Sequence, residues 1–91
     1  MKYASYKIGN IVDIQDIKGQ PYKFITIATN PCDIYTFTRL IYSGQTLILD
    51  CEYNELTIKD LNIGDKVIAY HSNAMTMSIP PQTQVYIIEV K

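Results

Sequence analysis

Tyr6-Lys7-Ile8-Gly9-Asn10-Ile11-Val12-Asp13-Ile14-Gln15-Asp16-Ile17 has the pattern of one long β-strand with a break inside it. Ile8, Val12 and Ile14 are expected on one side and Asp13 and Gln15 on the other. Ile11 breaks that alternation just after Gly9, as happens at a β-bulge or sharp bend in a strand that serves two sheet faces. Lys18-Gly19-Gln20-Pro21 then supplies a turn, and the β-branched and aromatic run from Tyr22 to Thr29 supplies a second strand, paired antiparallel with the first.

Further along, Ile34 to Tyr42 reads as a third strand, and Gln45 to Leu49 as a short extra one after Ser43-Gly44. The stretch from Cys51 to Leu61 has the weakest strand character, and a single helical turn capped by Asn54 or Thr57 is expected there. Gly64-Asp65 turns the chain into Lys66–His71, the penultimate strand. Gln84–Val90 closes the chain, with Val85, Ile87 and Glu89 on one side and Tyr86, Ile88 and Val90 on the other. The expected fold is all-β: a small closed or partly open antiparallel barrel of about five to six strands, with one short helical turn before the penultimate strand. This is the order of an oligonucleotide- and oligosaccharide-binding (OB) barrel. Closure also hides the strand edges that a chain rich in Ile and Tyr would otherwise expose.

Composition agrees with one domain and sets limits on its partners. The 91 residues are 47% hydrophobic and 19% charged, enough for a single modest core. The net charge of −1 comes without any basic run, which weighs against a generic nucleic-acid binder unless Lys7, Lys18, Lys23 and Arg39 cluster on folding. The N-terminus has alternating apolar residues rather than a secretory h-region, and no window approaches a membrane span, so a cytoplasmic location without membrane contact is expected. Cys32 and Cys51 are then expected as reduced packing residues, and with one histidine in the chain no zinc set or other cofactor is expected.

The last third of the chain carries a resemblance. Gly64-Asp65-Lys66-Val67, His71-Ser72 and Met75-Thr76-Met77-Ser78-Ile79-Pro80-Pro81-Gln82 resemble a group of small uncharacterised bacterial proteins with a Met-Thr-x-Ser-Ile-Pro-Pro-Gln segment. The resemblance implies an OB-like barrel and no particular ligand.

That segment is also where binding is expected. Pro80 and Pro81 lack backbone donors and stiffen the loop between the last two strands, and their X-Pro bonds allow a cis peptide. With Ser78, Gln82 and the tyrosines Tyr22, Tyr35 and Tyr42, whose large flat faces suit protein, base or sugar surfaces, the loop is expected to form the contact surface of a non-enzymatic binding module. Its partner is expected to be another protein or a second copy of the chain, with an oligonucleotide or saccharide as the alternative. A further alternative is Cu(I), held by His71, Met75 and Met77. That trio resembles the Met-x-Met pair and histidine of periplasmic copper-binding barrels, from which this chain departs in lacking a Trp and an export signal. His71-Ser72, Thr76 and Ser78 with Asp50 or Asp65 have the residue types of a hydrolytic triad but no nucleophile elbow, and loop hydroxyls that satisfy turn backbone explain them more simply.

Overall fold

The computed structural model describes residues 5–91; Tyr3 and the start of the N-terminal reading lie outside them. Seven strands form one sheet: β1 Ser5–Asp16, β2 Lys23–Ala28, β3 Phe37–Tyr42, β4 Leu47–Leu49, β5 Glu55–Leu56, β6 Lys66–His71 and β7 Gln82–Val90. Five of them close into a barrel in the order β3-β2-β1-β6-β7, with β7 returning to pair with β3. The expected all-β barrel is therefore present, but it is mixed rather than purely antiparallel. β3 and β7 run parallel at the closing seam, with Leu40 opposite Thr83, and β4 runs parallel to β7 beyond it.

The bend of β1 has a steric cause. A Cβ on Gly9 would lie 2.8 Å from the Ala28 carbonyl oxygen, so only glycine lets β1 approach β2 this closely. Three residues on, the register slips from Ile11↔Ile27 to Asp13↔Thr26 and leaves Val12 as the extra residue of a bulge. Beside the bulge, the Ile11 amide donates to Asp65 O (2.9 Å) and the Gly64 amide donates to Ile11 O (2.8 Å), so the turn before β6 takes both backbone groups. The first half of β1 pairs with β6 and the second half with β2. This places Ile11 in the core at 1% exposure, while Ile8, expected inside, faces out at 44%.

β7 repeats the device. Its register with β6 slips between Tyr70↔Ile87 and His71↔Val85, which makes Tyr86 the extra residue. Val85 and Ile88 are consequently both buried, and the expected grouping of Val85 with Ile87 and Glu89 is replaced by a change of face at Tyr86. Ile25, Ile27, Leu40, Val67 and Ala69 complete the barrel interior, and Ile48 and Leu61 from the β4-to-β6 segment close onto the same cluster. At roughly 25 cal/mol per Å² of apolar surface removed from water, this cluster is the main source of stability.

Between β3 and β6 the chain forms the expected short strand, β4, and the expected helical turn, with one strand more. That turn is present as a 3-10 turn over Ile58–Asp60, with Thr57 as cap and Asp60 Oδ2 accepting from the Thr57 amide (2.8 Å). The two-residue strand β5 precedes it, paired antiparallel with β4. Ile34–Thr36, expected as the start of the third strand, is a second 3-10 turn, because the Asp33 carboxylate caps it by accepting from the Tyr35 amide (3.0 Å).

The β4–β5 turn is held by one carboxylate. Asp50 accepts from the amides of Asn54 (2.9 Å) and Glu52 (2.8 Å) and from Asn54 Nδ2 (3.2 Å), around Tyr53 at φ 64°. These bonds, the one from the Asn54 backbone foremost, hold the Asp50 pKa below its ordinary value. A carboxylate whose pKa is lowered on folding stabilises at pH above the unfolded value, and that contribution is lost as the pH falls through the folded one. Exchange protection of the Glu52 and Asn54 amides is therefore expected to hold at neutral pH and to fall below about pH 4. In Asp50→Asn, protection should no longer change across that range.

Candidate functional site

The proline loop, residues 72–81, is ordered by its own hydroxyls rather than by charge; from Ser72 to Gln84 there is no ionisable side chain. The Thr76 amide donates to Gln82 O and the Gln82 amide to Thr76 Oγ1, both at 2.9 Å. Thr76 Oγ1 lies 2.7 Å from Ser78 Oγ, which donates to Pro80 O (2.9 Å). At the base of the loop, buried Thr83 Oγ1 lies 3.0 Å from Ser72 O and 2.8 Å from Ala74 O, and the Arg39 amide donates to Pro81 O (2.9 Å). The Ile79–Pro80 peptide is cis. This stitching lifts three apolar side chains into water: Met75 is 38% exposed, Ile79 66%, and Met77 fully exposed.

Beside the loop a groove crosses the outer face of the seam. One depression of about 400 Å³ is lined by Tyr22, Ile41, Ser43, Gly44, Gln45 and Gln84. A second, of about 360 Å³, adds Met75, Thr76 and Gln82. Ile41 and Gln84 line both, so the two are halves of one groove that runs from Tyr22 before β2 to Met75 in the loop. Register explains the composition, since Phe24, Ile41 and Gln84 form one outward row and Thr26, Arg39 and Gln82 the next. The Arg39 guanidinium carbon sits 5.1 Å from the centre of the Phe24 ring.

The sequence-predicted residues divide between this surface and other parts of the molecule. Met75, Met77, Ser78, Pro80, Pro81, Gln82 and Tyr22 share the loop and the groove. Tyr42 faces the barrel interior and packs on the core. Tyr35, 76% exposed, lies in the 3-10 turn before β3, at the opposite end of the β2–β3 pair from Tyr22 and about 20 Å along the strands. The three tyrosines thus do not form one platform.

His71 is set apart from Met77. It points inward with Val67 and Ala69, is 6% exposed, and its Nδ1 lies 2.8 Å from Ser72 O. A carbonyl only accepts, so the proton sits on Nδ1. Met77, fully exposed at the loop tip, makes no contact with that buried ring. The hydroxyl and carboxylate candidates are also separated: Asp65 Oδ2 accepts from the Asn62 amide (3.0 Å) at the far end of β6, and Asp50 is spent in the β4–β5 turn.

Two features were missed in the sequence. One is the placement of Arg39, which the sequence named only within a basic cluster with Lys7, Lys18 and Lys23; its neighbours on the sheet are set by strand register and not by chain order. The other is an apolar wall on the outer faces of β1, β6, β7 and β4, where Tyr6, Tyr70, Ile87 and Leu47 form one row and Ile8, Ile68, Glu89 and Leu49 the next. The Tyr6 and Tyr70 rings meet at 6.2 Å. Alternation in each strand was the available signal, but the order of the strands was needed to join the rows. No family model, curated protein or solved structure matches this chain.

Proposed function

We propose that the protein is a non-catalytic binding module whose contact surface is the proline loop with the groove beside it, and that its partner is another protein or a second copy of the chain. The observation that carries this reading is a loop stitched by its own hydrogen bonds that nevertheless holds Met75, Met77 and Ile79 in water. A preordered apolar tip loses little conformational entropy on docking, and the burial of its side chains supplies the driving force. The apolar wall offers self-association a second surface. Cys32 and Cys51, expected as packing residues, are instead exposed, and a reducing compartment keeps such thiols unreacted, which supports a cytoplasmic location as part of the proposal. Among the described residues no helix is long and apolar enough to cross a membrane.

The test places a photo-crosslinking amino acid at Met77 in cells, with Lys59 on the 3-10 turn as the comparison site. Discrete protein adducts are expected from Met77 and not from Lys59. In Pro80→Ala/Pro81→Ala, a looser loop should weaken capture by about 1 kcal/mol, or about fivefold. Equal adducts at both sites, or undiminished capture by the folded double variant, would contradict the proposal.

An oligonucleotide or saccharide ligand is the second reading. It is supported by the closed five-stranded barrel, an architecture that oligonucleotide- and saccharide-binding domains also use. Binding of a labelled oligonucleotide or sugar that protects Tyr22 from solvent would select it over a protein partner.

A further inference from the structure

Arg39 is a cation that the fold positions and does not use. It stands in the middle of β3 on the outer face, in the row Asp13–Thr26–Arg39–Gln82. Its guanidinium lies over Phe24, its Nε is buried, and among the described residues no acceptor takes any of its side-chain donors. Lys23 differs in being paired with Asp16, and Lys91 in being paired with Glu89. Guanidinium donors that no acceptor takes suit an oxyanion with two oxygens, which the planar fork matches.

The position of Arg39 relative to the groove selects among such anions. Arg39 and Ile41 are two residues apart on one face of a strand, about 7 Å. Side chains two apart on an extended peptide have the same spacing. A peptide lying along β3 would therefore set a carboxylate on Arg39 when an apolar side chain two positions away settles on Ile41, between Tyr22 and Met75. In the same two rows Gln82 and Gln84 offer amides to the peptide backbone.

A nucleic-acid strand fits this charge pattern less well. It presents a phosphate at every nucleotide, whereas this face has Arg39 as its unspent cation, with the Asp13 carboxylate in the same row on β1. A peptide carries charge only where its sequence puts one. Resting on the binding-module reading, we infer that the β3–β7 groove takes an extended segment of a partner protein with an acidic residue two positions from an apolar one, Arg39 holding the carboxylate.

The experiment titrates the ¹⁵N-labelled protein with three synthetic peptides, Thr-Asp-Thr-Leu-Thr, Thr-Lys-Thr-Leu-Thr and Thr-Asp-Thr-Ser-Thr, and with a ten-nucleotide oligo(dT). The first peptide is expected to shift the Arg39 Nε–H and the Ile41, Gln82 and Gln84 amides at concentrations about tenfold below those the other two peptides need. Arg39→Gln, and Arg39→Lys, which keeps the charge but loses the fork, should each weaken that peptide about tenfold with an unchanged amide spectrum elsewhere. Equal response to the Asp and Lys peptides, or undiminished binding by a folded Arg39 variant, overturns the inference and leaves the Met77 crosslinking result standing. Oligo(dT) that moves the same resonances at lower concentration than any peptide overturns it in favour of a nucleic-acid ligand. Loss of crosslinking at Met77 together with silence of all four probes removes both readings.

Discussion

Leu40→Ala is expected to lower the unfolding free energy by about 3 kcal/mol, measured by chemical denaturation at constant m. Leu40 is 0% exposed because a strand flanks it on each side: Ile25 lies opposite on β2, and on the other side Thr83 of β7 closes the seam. Truncation would remove the transfer energy of the isobutyl group and leave a void that barrel walls on both sides keep open. The neighbouring residue is an internal control. Ile41 sits on the outer face in the groove, and Ile41→Ala should cost less than about 1 kcal/mol. A domain of this size holds only about 5–10 kcal/mol in total, so the two variants should separate clearly. Similar small losses for both would mean that β3 is an open edge.

The second large effect is expected at Gly9. In Gly9→Val the Cβ alone would stand 2.8 Å from Ala28 O, 3.0 Å from its carbonyl carbon and 3.2 Å from its nitrogen. These are backbone atoms of a paired strand, which cannot swing aside as a side chain does. Relief requires β1 to part from β2 where the bulge begins, at a cost of about 3 kcal/mol or more. Gly44 is the comparison, since a Cβ there meets nothing within 4 Å. Gly44→Val should stay within about 1 kcal/mol of the parent. A Gly9→Val protein that melts with the parent would show that β1 does not bend against β2 at this point.

Several elements were legible because their cause is local. The long first strand with its irregularity at Ile11, the 3-10 turn capped by Thr57, and the stiff loop around Pro80-Pro81 each follow from residue types at short spacing. What failed depended on partners distant in the chain. Ile8 and Ile11 exchanged faces because the bulge lies at Val12, a position chosen by the fit of β1 to β2 and to the Gly64-Asp65 turn. The β7 pattern failed at Tyr86 for the same reason, since its inner and outer residues switch where the β6 register slips.

The site was half legible. The loop residues Met75 to Gln82 are contiguous, so a sequence shows them together. The groove is assembled from Tyr22, Ile41, Ser43 and Gln84, and it exists only after β3 and β7 meet in parallel. Tyr35 and Tyr42 were expected beside Tyr22 on type alone. Antiparallel pairing sends Tyr35 to the other end of the β2–β3 pair, and strand parity turns Tyr42 inward. His71 likewise shares a short stretch with Met75 and Met77 but faces the core, with Val67 and Ala69.

The core, the groove and the placement of Arg39 all depend on closure of β3 onto β7. The direct measurement is by NMR: nuclear Overhauser contacts and amide protection across Arg39↔Gln82, Leu40↔Thr83 and Ile41↔Gln84. Cross-strand contacts of a parallel ladder, with an Arg39 amide protected by its bond to Pro81 O, are the expected result. Rapid exchange of the Arg39 amide, with no contact between Leu40 and Thr83, would contradict the closed barrel and everything built on its seam.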